Sequence, residues 1–239
     1  MRARAHLRVE RDGAGRHVVR ELRSAAPLTL LPARTNGTAL VHLVSSAATP
    51  LGGDDLALTV EVGPHAELTL VGVAATVALP GPHGAPSRSS VRLTLAPGAS
   101  VAYLPEPTVV TGRACHESVL VAELAGNATL RAREVLVLGR VGERPGTLTT
   151  AVTASRDARP LVRQHLRVGD RELDASVASL AGKRVLATEL YLDGSTPAAA
   201  SGEWWSCTPL AAGGTLTTAL ADDAVTAVRR LGLAAAARG

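Results

Sequence analysis

The sequence predicts an all-β fold: a β-helical or layered arrangement of many short strands, closed by a C-terminal helix. Three observations predict it. Residues 55–62 alternate strictly, with Leu56, Leu58, Val60 and Val62 on one face and Asp55, Ala57, Thr59 and Glu61 on the other, as a half-buried strand requires. Short runs of this kind recur between turns, and three of them read alike: VGPHAELTL at 62–70, LAPGASVAYL at 95–104 and LAGNATLRAR at 124–133. Each has an apolar residue, a Gly-, Pro- or Asn-containing turn, and an alanine that starts a strand, the pattern of stacked β-turn-β units. Helical spacing then governs 222–233, where Val225, Val228 and Leu231 or Leu233 recur, Asp222 is placed to cap, and Arg229 and Arg230 face the C-terminal dipole. The chain is read as one unit over 1–239, β-rich through residue 220.

In order, residues 5–10 and 17–23 read as strands joined by the hairpin turn DGAG at 12–15. Residues 26–33 are extended and Pro-bounded. Residues 38–44 carry apolar side chains on both faces, which implies a strand covered on both sides. The Gly52-Gly53-Asp54-Asp55 turn opens the strand over 55–62. Gly63-Pro64 ends it, and strands follow at 66–71 and 73–79. The segment PGPHGAPS at 80–87 has too much Pro and Gly for regular structure. Strands resume at 90–95, 100–104, 117–124, 128–131 and 134–138, then at 147–153 and 160–168. A short helix is expected over 171–180, a strand over 183–192, a loop over 193–203 and a last strand over 215–220.

Composition narrows the function. Phe and Ile are absent, and Lys183 is the one lysine among 25 basic residues. Missing residues with AT-rich codons, and abundant Ala, Gly, Pro and Arg, indicate a GC-rich genome. The net charge of +4 is therefore no nucleic-acid footprint, and with two Trp and two Tyr there is no stacking platform for bases. No apolar run is long enough to span a membrane, and MRARAHLRVERDGAGRH has no apolar core of a signal peptide. Cys115 and Cys207 are far apart, which fits a reducing cytoplasm better than a disulfide scaffold.

Several stretches resemble the UreD (also called UreH) family of urease accessory proteins. They are APL at 26–28 with the strand ending at Val44; GGDDLALTVEV at 52–62 with AELTLVGVAATVAL at 66–79; YLPEPTVVTGRA at 103–114; EVLVLGRVGERPG at 134–146; and the closing LADDAVTAVRRLGL. Where the family carries a Thr-Gln pair and a Lys-Val-Tyr ending, this chain has Gly72-Val73 and Val77-Ala78-Leu79. Its turn at Gly53-Asp54 is also shorter. The resemblance implies a β-helical protein that is not an enzyme. It implies docking with UreF-like and UreG-like accessory proteins on apo-urease, and help with nickel insertion, with no cofactor held stably and nickel only in transit. A carbohydrate-active enzyme or binding module on a β-solenoid is the alternative, disfavoured by the scarcity of aromatic sugar platforms.

Nickel accepts imidazole, carboxylate and thiolate. Glu134 leads, because it starts a strand that is apolar on both faces, and a carboxylate there must be paired or wetted. An ion pair with Arg133, Arg140 or another arginine and a water-filled nickel route stand as equal readings of it. Asp54 and Asp55 follow, with bonding to local turn amides as their expected use. Gly52, Gly53 and Gly139 are motif glycines, and Arg140 and Glu143 are expected to form a salt bridge across a turn. Cys115 and His116 would face opposite ways on a strand, so Cys115 is expected to be a small buried thiol. His42 is expected in the core, and His65 and His83 in solvent. Of Trp204 and Trp205, one is expected to pack inward and the other to be available to a partner.

Overall fold

In the computed structural model, residues 1–35 and 37–236 are described. β1 (Arg2–Arg11) and β2 (His17–Arg23) form the first hairpin, and β3 (Leu28–Ala33) and β4 (Ala39–Ser45) the second. Three coils follow. The first runs through β5 (Asp55–Val62), β6 (Glu67–Gly72) and β7 (Thr76–Ala78); the second through β8 (Ser87–Leu95), β9 (Ser100–Leu104) and β10 (Thr108–Val110); the third through β11 (Cys115–Leu124) and β12 (Thr129–Leu138). After them come β13 (Thr147–Arg156), β14 (Arg159–Val168), α1 (Arg171–Ala175), β15 (Val185–Leu192), β16 (Ala200–Gly202), β17 (Trp205–Pro209), β18 (Thr215–Ala221) and α2 (Ala224–Ala236).

Successive coils alternate between two facing sheets. The seven-stranded sheet has the order β14-β13-β11-β8-β5-β1-β2, and the eleven-stranded sheet β16-β17-β18-β15-β12-β9-β6-β4-β3, with β10 beside β12 and β7 beside β10. The middle strands are parallel, as coiling in one direction demands: Leu58 pairs with Val91, and Leu68 with Val101, which pairs with Leu130. One coil takes about 30 residues, within the range of solenoid repeats. Antiparallel hairpins close both ends. Between the sheets lies a core of Leu, Val and Ala, including Leu7, Val60 and Leu93 from one sheet and Val41, Leu70 and Leu130 from the other.

The three similar sequence turns stack directly. Ala66, Ala99 and Ala128 are buried beneath them, and each donates its N–H back across its own turn, to Gly63, Ala96 and Ala125. The next layer is bonded on: Ala96 N–H to the Val62 carbonyl, Ala125 N–H to Leu95, and Ser100 N–H to Ala66. Only a small side chain fits where successive turns overlie one another, which is why alanine recurs.

Some boundaries differ from expectation. Residues 128–131 and 134–138 are one strand, β12, because β15 pairs with it continuously from Leu130 to Val137. β10, β16 and β17 are additional strands. α1 stops at Ala175, capped at its start by Asp170, whose carboxylate accepts from Glu172 and Leu173 N–H. Asp223, not Asp222, caps α2: its Oδ1 accepts from Thr226 N–H at 2.8 Å, while Asp222 pairs with Lys183. The helix buries Ala227, Leu231 and Ala234 against β15 and β18 and leaves Val225 exposed, so its buried stripe is read from alanine rather than valine.

Candidate functional site

The eleven-stranded sheet has a slot in it. β12 pairs with β9 only as far as Ala132 and with β10 only from Leu136, so Arg133, Glu134 and Val135 have no strand beside them on that side. One coil earlier the chain leaves the sheet at 105–107 and again at 73–75. Pro105 and Pro107 cannot donate to a ladder, and the break follows from them. Gly72 sits so near Glu106 that an added Cβ would lie 2.5 Å from its backbone nitrogen. The two bends are therefore pressed together.

Behind this slot is a cavity of about 170 Å³ between the sheets. Its wall runs from Ala74, Pro105 and Glu106 at the slot to inward-facing Leu58, Val91, Leu120 and Val152, and includes Tyr103, His116, Ser118 and Glu134. Ala74 is exposed, so the wall reaches the surface there.

Glu134 faces this space. It is half-buried and lines the cavity wall. Ser118 Oγ donates to Oε1 at 2.9 Å, and Thr150 Oγ1 lies 3.1 Å from Oε1 and 2.9 Å from Oε2. Ser118 and Thr150 are register partners on β11 and β13, so both hydroxyls meet the carboxyl from the opposite sheet. Burial pushes the Glu134 pKa up from 4.5, and the donated bonds from Thr150 and Ser118 pull it back down. Burial, reinforced by the Glu134 charge, also raises the Tyr103 phenol. Among the described residues no cation pairs with Glu134; the arginine partnership is replaced by hydroxyls. Arg140 is engaged elsewhere.

His116 lies two residues before Ser118 on the same inward face of β11. Its Nδ1 is 2.9 Å from Ser87 Oγ, and burial lowers its pKa to about 4. Cys115, on the other face, is exposed and not the small buried thiol its neighbours suggested; Cys207 is the buried one.

Asp54 and Asp55 stay away from this cavity. Asp54 accepts from the Met1 α-amino group at 2.6 Å and from Leu51 N–H at 2.8 Å. Asp55 pairs with Arg4, whose bond holds the carboxyl below its ordinary value. Gly52 and Gly53 serve the turn for different reasons. An added Cβ on Gly52 would lie 2.5 Å from the Gly81 nitrogen, whereas Gly53 has a φ of +92° and open space. Gly139, at φ +72°, begins a turn closed by Arg140, whose Nε and Nη2 grip Glu143 at 3.0 and 3.1 Å. That grip lowers the Glu143 pKa to about 2. His42 is half-buried, while His65 and His83 are exposed. Trp205 packs with the residues under α2, and Trp204 carries the Lys183 ammonium 4.7 Å from its ring centre.

Ser118, Thr150, Tyr103 and Glu106 were not singled out from the sequence. The available signal was a polar residue at an inward position of an alternating strand, Thr150 between Leu148 and Val152. It acquires meaning only when register sets it beside Ser118 and across from Glu134.

The family model described as UreD urease accessory protein matches residues 1–238. The chain belongs to the UreD family. It is 54% identical over 237 residues to the urease accessory protein UreD 1 of Saccharopolyspora erythraea, covering 97% of this chain and 93% of that protein. It is 42% identical over 259 residues to the UreD of a Parafrankia species, covering 97% and 86%. To the UreD of Streptomyces coelicolor it is 36% identical over 243 residues, covering 97% and 94%. In this chain the family's sequence folds as a two-sheet solenoid with Glu134 facing a cavity between the sheets. Among its described residues no helix is long and apolar enough to cross a membrane, and no three His, Cys, Asp or Glu side chains gather as a chelating group.

Proposed function

We propose that this chain serves urease maturation as a non-catalytic cytoplasmic scaffold. It docks with UreF-like and UreG-like accessory proteins on apo-urease, and nickel passes through its cavity on the way to the urease active site. One observation carries the nickel part: Glu134 faces an internal cavity with hydroxyl partners and, among the described residues, no ion-pair partner. A buried carboxyl without a counter-charge is costly, so it persists where a cation or water visits it. A single carboxylate with neutral donors around it binds a hydrated divalent ion weakly, and Ni(II) accepts such a ligand. A cluster of His and Cys would retain the ion instead. Nickel is cargo in this reading, and no cofactor stays bound.

The test is Glu134→Gln, co-expressed with the urease subunits and the other accessory proteins. The variant should co-purify with its partners as the wild type does, while the urease recovered with it contains several-fold less nickel. Full nickel loading by this variant removes the transit role. Loss of the complex would make Glu134 a structural group.

A further inference from the structure

The outward face of the seven-stranded sheet carries charge in columns. β1 presents Arg4, His6 and Arg8; β5 presents Asp55 and Glu61; β8 presents Arg88 and Arg92; β11 presents Glu117 and Glu123. Parallel register sets these columns side by side. They pair across strands: Arg4 with Asp55, His6 with Glu61 at 3.3 Å, Arg88 with Glu117 at 4.0 Å and Arg92 with Glu123 at 2.6 Å. The order is basic, acidic, basic, acidic.

The pattern then stops short. β13 carries no carboxylate, and its one charge, Arg156, is spent on the Gly126 carbonyl. β14 forms the sheet's edge and bonds on one side only, to β13. It holds Arg159, Arg163, His165 and Arg167, all exposed, and again no carboxylate. Among the described residues none of these four side chains has an ion-pair partner or a side-chain hydrogen bond. The opposite edge differs: on β2, Arg20 pairs with Glu10, Arg23 with Glu21, and Glu21 also faces His6.

Arginines on an edge prevent edge-to-edge pairing of like copies, and here they repel a second copy of this chain. The same side chains select an opposite charge. Arg163, His165 and Arg167 alternate along one face, so an added strand would answer them with carboxylates at every second position. Pro160 has no N–H to offer, which places the open ladder at 161–168. We propose that β14 is a docking edge for an acidic extended segment of a partner protein, which joins the sheet as its next strand. Val162 and Gln164, on the other face of β14, wall the cavity, so the added strand would extend that wall.

The test uses the full chain and a fluorescent ten-residue peptide of alternating Glu and Thr. Anisotropy should report binding, a Lys-Thr peptide should not bind, and Arg163→Glu with Arg167→Glu should weaken binding at least ten-fold. Arg163→Gln with Arg167→Gln serves if the reversal unfolds the protein. Amide exchange at 161–168 should slow in the bound state. No binding of the Glu-Thr peptide overturns the proposal. So does equal affinity for a peptide with its glutamates in one block, or binding without protection of β14. Loss in the variant of binding to single-stranded DNA or phosphatidylglycerol vesicles, with the peptide ignored, would reassign the edge to polyanions.

Discussion

Thr150 Oγ1 lies 2.9 Å from one carboxylate oxygen of Glu134 and 3.1 Å from the other, with one proton to give. The hydroxyl either shares that proton between both oxygens or donates to one and accepts from the other when the acid is protonated. Ser118 donates from the next strand. Both protonation states of Glu134 are therefore satisfied by the same neutral groups, and the balance between them belongs to burial.

That balance sets a pH dependence. The folded pKa of Glu134 is raised above 4.5, so its contribution to stability is fully present below 4.5 and is lost as pH rises through the folded value. Glu134→Gln keeps the shape and stays neutral. As pH rises above 4.5 the variant should gain stability relative to the wild type, read as a rising difference in urea midpoints. A constant difference would mean that Glu134 does not titrate in this range.

His116 works in the opposite sense. Its folded pKa of about 4 lies below the ordinary 6.5, so its contribution is present above pH 6.5 and is lost as pH falls through about 4. The shift corresponds to about 3 kcal/mol when fully expressed. His116→Gln should cost stability at neutral pH and should flatten the acid side of the profile. Urea unfolding of both proteins at about pH 7 and about pH 4.5 measures this, and equal acid losses would contradict it.

Much of the fold was legible in the sequence because each coil is short and local. The strands at His17–Arg23 and Ser100–Leu104 have the expected bounds, and the three alike turns do stack. Failures came where a neighbour decides. β10 is three residues lodged between a proline and a turn, and exists because β7 and β12 flank it. Asp223 rather than Asp222 caps α2, a choice of one residue that only geometry makes. The site was half legible. Glu134 announced itself as a carboxyl in an apolar strand, but its partners come from residues sixteen positions away on each side. Asp54 bonds a local turn amide, Leu51 N–H, as expected, and the contacts of Asp54 with Met1 and of Asp55 with Arg4 reach across to the first strand, which spacing alone does not show.

The two glycines of that turn should separate on substitution. Gly52→Ala drives a methyl to 2.5 Å from Gly81 nitrogen and 2.6 Å from the Ala85 carbonyl oxygen, both backbone atoms that cannot turn aside. Such overpacking costs about 1–3 kcal/mol or more. Gly53→Ala meets open space and pays only for its left-handed φ of +92°, about 1–2 kcal/mol. Thermal melts should rank Gly52→Ala as the less stable. The reverse order would mean that the Gly81 loop yields to the methyl.

A double-mutant cycle can show whether Thr150 acts on Glu134 through its hydroxyl or merely fills space. Thr150→Val keeps the volume and removes the donor that lies 2.9 Å from Glu134 Oε2. Against an ionised carboxylate that donor is worth about 1.5–3 kcal/mol, and against the neutral amide of Glu134→Gln about 0.5–1.5 kcal/mol. At alkaline pH, Thr150→Val should therefore cost about 1 kcal/mol more in the wild-type background than in Glu134→Gln. The excess should shrink as pH falls, because protonation makes Glu134 resemble its own amide. Ser118→Ala should follow the same course from β11. Should Thr150→Val cost the same in both backgrounds at every pH, its hydroxyl would have no hold on the carboxyl, and the cavity's charge would be set by burial alone.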